Sequence, residues 1–147
     1  MIYAELAGGL GNQMFIYAFA RALGLRCGEP VTLLDRQDWR DGAPAHTVCA
    51  LDALNLAPEV NILAQPGFAK QHLKRQNTAK ALMIKYEQRQ GLMARDWNGW
   101  ERRCAPLLNR LGVHFATDGY TPVHRGTARD FLAWGYFQSE AYFADFA

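Results

Sequence analysis

The sequence has few cysteines and no long apolar stretch. Its three cysteines, Cys27, Cys49 and Cys104, form no C-x-x-C pair, and their odd number argues against a disulfide framework or a zinc knuckle. No stretch approaches the roughly 18 apolar residues of a membrane-spanning helix. The opening residues, MIYAEL, lack the basic and apolar segments of a secretory signal. We therefore expect a cytoplasmic protein with reduced thiols.

The sequence also has little net charge and no pattern of metal ligands. Sixteen Lys and Arg residues nearly balance fourteen Asp and Glu residues, which leaves +2 among 147 residues. A nucleic-acid-binding domain usually has a stronger basic excess, so we expect no nucleic-acid partner. The four histidines have no ligand spacing, and no D-x-D motif is present. We accordingly predict no metal and no cofactor.

The first 35 residues have the pattern that opens a parallel α/β sheet. Residues 2–7 predict a strand that enters a turn containing three glycines, and residues 13–25 predict a helix that ends near Gly28. Residues 31–34 predict a second strand, closed by Asp35. This order of elements is typical of a Rossmann-like lobe.

The rest of the chain predicts two more strands, at residues 113–116 and 131–137, and Ser139 is expected to cap a helix that follows. Helical patterns between the strands predict an insertion from about Gly67 to Leu111. Inside it the patterns predict a helix over 67–90, broken near Asn77 and Thr78, and a helix over 97–111, interrupted by Pro106. Before it, residues 36–66, with a leucine-rich piece at 51–56, predict loops and a short helix.

The glycine turn suggests a phosphate site. Glycines permit positive φ angles and close approach to the backbone, and the amino terminus of the following helix offers unpaired N–H groups and a partial positive charge. The alternative is a tight turn that only packs the helix on the sheet. Asn12 has the same two interpretations, since it could cap a helix beginning at Gln13 or contact a bound phosphate or sugar.

A dinucleotide site is the first rival hypothesis. Gly9 and Gly11 match the start of the dinucleotide fingerprint, and Asp35 stands where an acid would bind the ribose. The third small residue of that fingerprint is Met14 here. Methionine does not allow the close contact between helix and strand that the fingerprint requires, which weakens the hypothesis of an NAD- or FAD-dependent oxidoreductase.

Three segments resemble the α-1,2-fucosyltransferases, glycosyltransferase family 11. The first is GGLGNQMF at residues 8–15, followed by YA and ARAL, and it resembles the opening signature of that family. The second, GYFQSE at 135–140 followed by YF, resembles the family's G-Y-(W/F)-Q-S-E-x-Y-F segment. The third and weaker match is LDALNL at 51–56. Their order and rough spacing fit the family across the whole chain.

The resemblance implies a GT-B type glycosyltransferase with two Rossmann-like lobes. Such an enzyme transfers L-fucose from GDP-β-L-fucose to a galactose 2-hydroxyl of a glycan, with inversion and without a metal. The substrate-binding residues that it implies are those of the turn: Gly9, Leu10, Gly11, Asn12 and Gln13. It leaves the catalytic residue unknown. Glu140 is either a general base for the acceptor or a first-turn acid that stabilises a helix dipole.

One motif of the family is missing. Its H-x-R-R-G-D-Y segment lies beyond the position of residues 135–143, and VHRG at 123–126 lacks the second arginine and precedes that position. We interpret 123–126 as a surface loop. The expectation is an amino-terminal lobe over residues 1–147 without the carboxy-terminal donor-binding lobe, and hence a fragment inactive alone. A non-catalytic remnant of a transferase is the third hypothesis.

A basic stretch in the middle of the chain has two interpretations. Only Glu87 opposes its six cations, which are Lys70, Lys74, Arg75, Lys80, Lys85 and Arg89. Such a run is usually the solvated face of a helix. The alternative is peripheral contact with an anionic membrane surface at the inner face of the membrane.

Overall fold

The chain folds around a five-stranded parallel sheet with helices on both faces, so the α/β prediction is confirmed. The computed structural model describes residues 1–35, 49–65, 67–90 and 97–146. The strand order is β3-β2-β1-β5-β4. The strands are β1 (Ile2–Glu5), β2 (Val31–Leu34), β3 (Val60–Leu63), β4 (Val113–Ala116) and β5 (Phe131–Gly135). This architecture is compatible with a Rossmann-like lobe.

Strand β1 is the centre of the sheet and fixes its register. Ile2 pairs with Val31 of β2 on one side and with Phe131 of β5 on the other, and all three side chains are buried. Parallel strands need cover on both faces, which is why these short strands are almost entirely apolar. The carboxyl ends of β1 and β5 therefore lie side by side at one edge of the sheet.

Helix α1 (Leu10–Cys27) covers one face of the sheet. It packs Ile16, Phe19 and Leu23 against β1, β2 and β5, all within the largest apolar cluster. The helix ends as predicted, at Gly28, whose left-handed φ of 63° lets its N–H bond to the Gly24 carbonyl. It begins at Leu10 rather than at the predicted Gln13, because Gly9 already acts as its N-cap residue.

Three helices cover the opposite face: α2 (Phe68–His72), α3 (Lys74–Gln90) and α4 (Trp97–Arg110). Met83 and Leu108 pack there against Val113 and Phe115 of β4. The segment predicted as a helical insertion is thus the connection from β3 to β4. It supplies the second layer that a parallel sheet requires, rather than an addition to a complete lobe.

The two layers follow from the direction in which the chain crosses the sheet. The β1–α1–β2 connection moves toward one edge, whereas the β3-to-β4 connection travels back across the sheet to the other edge. Right-handed crossovers in opposite directions need opposite faces. The chain obeys this rule, with α1 on one face and α3 with α4 on the other.

Several local predictions were wrong, each for a physical reason. Strand β3 lies in a segment that was predicted as loops and a short helix, because four residues, with Asn61 among them, are too few to give a clear strand pattern. The break between α2 and α3 is at Leu73 rather than near Asn77, and it lets Leu73 enter the core beside Leu34 and Leu132. Strand β5 ends at Gly135, two residues early, because φ there is 150°.

Pro106 does not interrupt its helix as predicted. Helix α4 is continuous from Trp97 to Arg110 with Pro106 inside it. Pro106 is on the exposed side of the helix, so water can reach the backbone carbonyl that loses its hydrogen bond there.

Among the described residues, no helix has the length and apolar character needed to span a membrane.

Candidate functional site

The candidate site lies where the chain leaves the carboxyl ends of β1 and β5. After β1 the chain makes the glycine turn at residues 6–9 and enters α1, and after β5 it continues through residues 136–139 into a 3-10 helix at Glu140–Tyr142. Open α/β sheets bind ligands outside the carboxyl ends of their strands. The two segments with the strongest motifs therefore meet where such a site is expected.

The first turn of α1 presents unpaired backbone donors. The first intrahelical bond runs from Gln13 N–H to the Gly9 carbonyl at 3.1 Å, so the N–H groups of Leu10, Gly11 and Asn12 have no acceptor within the helix. The described residues provide no side-chain cap here, and the first turn contains no acid. Leu10 is 44% exposed. This end of α1 is thus open to solvent and favours a negatively charged group.

Gly11 has no structural reason to be glycine. Its φ is outside the left-handed region, and a Cβ placed on it would meet no atom within 4 Å. A glycine in a helix costs about 0.5–1 kcal/mol relative to alanine. The positive φ expected of the turn occurs instead at Gly8, where φ is 70°.

Asn12 is held in place from two sides. Its side-chain oxygen accepts a hydrogen bond from Nε2 of Gln138, in the loop after β5, at 2.6 Å. Its Nδ2 lies over the Cα of Gly8, where any Cβ would collide with it. Asn12 is the third residue of α1 and not its cap, so the predicted capping role is wrong. With its oxygen engaged, the amide can offer its N–H₂ group to a ligand.

Gln13 supports the turn from beneath. It is 1% exposed, its Nε2 donates to the Gly8 carbonyl at 2.9 Å, and its Oε1 accepts from Ala50 N–H at 2.9 Å. The amide is thus bonded to backbone at both ends. Direct contact of Gln13 with a substrate stays a prediction, and the geometry gives the residue a structural role.

The third segment of the resemblance reaches the same place through Gln13. Ala50 precedes a 3-10 helix at Leu51–Ala53, whose Leu51 is completely buried against the α1 layer. All three segments that carry the resemblance therefore converge on the first turns of α1. Sequence spacing of about 40 and 120 residues gave no sign of this meeting.

An aromatic cluster fixes the loop after β5. Phe137 has a left-handed φ of 53°, is 1% exposed and stacks on Phe19 of α1 with ring centroids 3.9 Å apart. Left-handed φ is unfavourable for a bulky residue and needs compensation from its surroundings. Here the stacking provides it, and the neighbours Tyr136 and Gln138 then face solvent on either side of the buried ring.

His114 of β4 completes this cluster as a neutral side chain. It is fully buried, and its ring stacks at 5.8 Å from that of Phe19. The Asn109 amide, oriented to satisfy all its neighbours, donates to His114 Nδ1 at 3.1 Å. Burial, and to a lesser extent the nearby His124, lowers the pKa of His114 to about 3. It therefore acts as packing, and the candidate site gains no general base from it.

Ser139 and Glu140 lie at the start of the 3-10 helix at Glu140–Tyr142. The Ser139 hydroxyl accepts from Ala141 N–H at 3.4 Å, which confirms the predicted cap, although the helix is a 3-10 helix. Glu140 is exposed in its first turn. Both hypotheses for Glu140, a general base and a dipole-stabilising acid, stay predictions.

A second polar cluster lies on the other side of β1. Lys80 of α3 donates to Glu5 Oε2 at 2.5 Å, and their side chains are only 7% and 2% exposed. Asp35, at the end of β2, is 7% exposed and lines the same small cavity of about 30 Å³. That volume has room for a few water molecules at most. Asp35 is therefore poorly placed to bind the ribose of a dinucleotide, and Lys80 does not belong to the predicted solvated face.

The arginine of the 123–126 segment is far from these residues. Arg125 Nη2 donates to Glu29 at 3.0 Å and to the Arg129 carbonyl at 3.1 Å, beside the amino ends of the strands. The prediction of a loop at 123–126 is confirmed.

Burial raises the pKa of the Cys27 and Cys104 thiols, so neither is an activated nucleophile.

The described parts of the chain bring together no group of three or more His, Cys, Asp or Glu side chains that could hold a metal ion. His46 lies outside the described residues.

Comparison of the chain with protein-family models, with curated proteins and with solved structures finds no match.

Proposed function

We propose that the chain is the amino-terminal lobe of a GT-B type α-1,2-fucosyltransferase of glycosyltransferase family 11. The intact enzyme would transfer L-fucose from GDP-β-L-fucose to the 2-hydroxyl of a galactose in a glycan, with inversion and without a metal. The observation that carries the proposal is the hydrogen bond between Asn12 and Gln138. It joins the two most specific segments of the resemblance at the edge of the sheet where ligands bind.

The chemistry of the turn supports a nucleotide-sugar donor. When the glycosidic bond to GDP breaks, negative charge grows on the leaving diphosphate, and a metal-free enzyme must stabilise it with other groups. The free N–H groups of Leu10 and Gly11 and the partial charge of the α1 terminus suit that task. The missing side chain of Gly11 leaves room for a phosphate oxygen to approach the backbone.

Asn12 supplies the directed contact in this proposal. Its oxygen is occupied by Gln138, so its Nδ2 would donate to a diphosphate oxygen or to a fucose hydroxyl. Gly9, Leu10 and Gly11 would contribute backbone, and Gln13 would hold the turn from below. The order in which the three segments occur in the chain matters less than their shared position around α1.

Binding to nucleotides tests the proposal against its rivals. Calorimetric titration of the intact enzyme, which includes the expected donor-binding lobe, with GDP-fucose, GDP and NAD should give heat of binding for the two guanine nucleotides and none for NAD. Binding of NAD with neither guanine nucleotide bound would favour the oxidoreductase hypothesis. No binding of any of the three would favour the non-catalytic remnant.

Transfer to an acceptor tests the need for the missing arginine motif. The chain alone should release no GDP from GDP-fucose with lactose as acceptor, because no described residue matches that motif. Rapid turnover by residues 1–147 would contradict the expectation that transfer requires the missing arginine motif. Loss of such turnover in EDTA, with recovery in Mg²⁺, would contradict the metal-independent mechanism.

A further inference from the structure

The outer surface of α3 and α4 contains an apolar groove of about 460 Å³. Its floor includes Met83 and Trp100, and its rim includes Leu82, Tyr86 and Leu111. The rings of Tyr86 and Trp100 stack with centroids 5.0 Å apart. We call this groove, together with the exposed side chains that border it on both helices, the α3–α4 surface.

Large apolar side chains on this surface face solvent. Leu82 of α3 is 63% exposed and Leu107 of α4 is 64% exposed, more than any other large apolar side chain of the described residues. Tyr86 and Leu111 add exposures of 41% and 38%. Grouped exposed apolar residues of this kind mark a surface that contacts another apolar phase.

Cations share the same helical stripes as the two leucines. Arg75, Lys85 and Arg89 are spaced 7, 3 and 7 residues from Leu82 along α3, and Arg103 and Arg110 flank Leu107 on α4. All five are exposed, and none pairs with an acid of the described residues. The arginines of α1 differ, because Arg21 and Arg26 each pair with a carboxylate.

We propose that the α3–α4 surface docks on an anionic lipid bilayer. The basic side chains would meet the lipid phosphates, while the leucines and Tyr86 would enter the boundary between headgroups and acyl chains. A second copy of the chain is a poor occupant, because pairing two such surfaces would bring like charges together. This inference is independent of the proposed function, since it involves none of the residues of the glycine turn.

The direction of α3 relates this surface to the candidate site. Gln76 bonds the Asp130 carbonyl just before β5 begins, and Lys80 bonds Glu5 at the end of β1. Helix α3 therefore runs in the same direction as the strands, and its later residues Tyr86 and Arg89 extend toward the carboxyl edge. A docked surface would hold the candidate site close to the membrane.

Flotation with vesicles tests the proposal. The chain should float with vesicles of phosphatidylcholine mixed with phosphatidylglycerol and stay unbound with phosphatidylcholine alone. Binding should weaken strongly in about 1 M NaCl, where the screening length falls to about 3 Å. The variant Lys85→Gln/Arg89→Gln should bind about 25-fold more weakly, at about fivefold for each cation. Leu82→Gln/Leu107→Gln should weaken binding at least about tenfold.

Matched variants on α1 provide the control. Arg21→Gln/Arg26→Gln also changes the net charge from +2 to 0, and Leu25→Gln replaces a leucine that is 45% exposed. Both should bind anionic vesicles like the parent chain. Circular dichroism and thermal melting establish that every variant is folded.

Three results would overturn the proposal. The first is equal binding to neutral and anionic vesicles, or equal losses for the α1 and α3–α4 variants. The second is a parent chain that is dimeric in light scattering and binds no vesicles, together with a Leu82→Gln/Leu107→Gln variant that is monomeric. The third is binding to an acidic polypeptide such as polyglutamate, abolished by Lys85→Gln/Arg89→Gln, with no binding to anionic vesicles; the surface would then dock a protein.

Discussion

The two helical layers of the sheet differ in how their polar groups are satisfied. On α1 the cations Arg21 and Arg26 pair with Glu59 and Asp145 at 2.9 and 3.1 Å, and the unsatisfied backbone groups are concentrated in the first turn. On α3 and α4 the outward cations have no acidic partner among the described residues. In the α1 layer the groups without a described partner are backbone N–H groups in one turn. In the α3–α4 layer they are cationic side chains along the outer surface.

This difference separates two kinds of interaction. A small charged ligand is best bound by a few donors fixed in direction, as at Leu10, Gly11 and Asn12. A broad surface of mobile lysines and arginines around exposed leucines suits contact with an extended partner, because no single geometry has to be kept. The α1 layer therefore favours binding of a small charged ligand, and the α3–α4 layer favours contact with an extended surface.

Two lysines of α3 allow the largest test of the comparison. Lys80→Met leaves the buried Glu5 carboxylate without its lysine and should lower the free energy of unfolding by about 3–5 kcal/mol. Lys85→Met removes an exposed cation without a described acidic partner and should change it by less than about 0.5 kcal/mol. Urea unfolding of both variants measures the contrast. Similar losses in the free energy of unfolding for the two variants would mean that buried Lys80 and exposed Lys85 contribute alike to stability.

The pH dependence of stability tests the packing beneath α1. The pKa of His114 is about 3 in the folded chain against an ordinary 6.5, so the unfolded chain binds a proton that the folded chain excludes. Stability should therefore fall as pH drops below 6.5, by at most about 1.4 kcal/mol per pH unit, and this contribution should level off near pH 3.

The variant His114→Phe isolates this contribution. It should lose less stability than the parent chain between neutral and acidic pH. Urea unfolding at a series of pH values gives the comparison. Parallel curves for His114→Phe and the parent would show that His114 takes up a proton as readily in the folded chain as in the unfolded chain.

The glycines of the turn give the next largest effect. Gly8→Ala places a Cβ at a φ of 70° and against the Asn12 amide, and should lower the free energy of unfolding by about 1–2 kcal/mol. Gly11→Ala has open space and an ordinary φ, and should raise it by up to about 1 kcal/mol. Thermal melting distinguishes the two. A destabilised Gly11→Ala variant would mean that the fold itself needs glycine there.

The sequence predicted the elements of this fold better than their contacts. The glycine turn, α1 with its end at Gly28, and strands β1, β2 and β4 follow from local patterns that one stretch of chain contains. Strand β3 could not be predicted, because so short a segment becomes a strand only when β2 is available to pair with it. The end of β5 was similarly hard to predict, because it follows from the φ of 150° at Gly135, where a Cβ would collide with the Ala116 carbonyl of β4.

The candidate site was predictable only in part. The motifs located the turn and named Gly9, Leu10, Gly11, Asn12 and Gln13 as binding residues, but they did not show which of them face solvent. The structure separates them, since Gln13 is buried and bonded to backbone while Leu10 and Gly11 face solvent. Gln138 and Gly8 were missed as the partners that orient Asn12, because a hydrogen bond across 126 residues leaves no local signal.

The measurement closest to the central claim is an NMR titration of the intact enzyme and of its Asn12→Ala variant with GDP-fucose, because the expected donor-binding lobe completes the donor site. Asn12 is not a cap, so its replacement should cost about 0.5–1.5 kcal/mol at most, the value of its bond to Gln138. We predict donor-dependent shifts of the Leu10, Gly11 and Asn12 amides, and an affinity about ten- to a hundredfold lower in Asn12→Ala. Unmoved amides at a saturating donor concentration, or equal affinity in a folded Asn12→Ala variant, would contradict the assignment of a donor site to this turn.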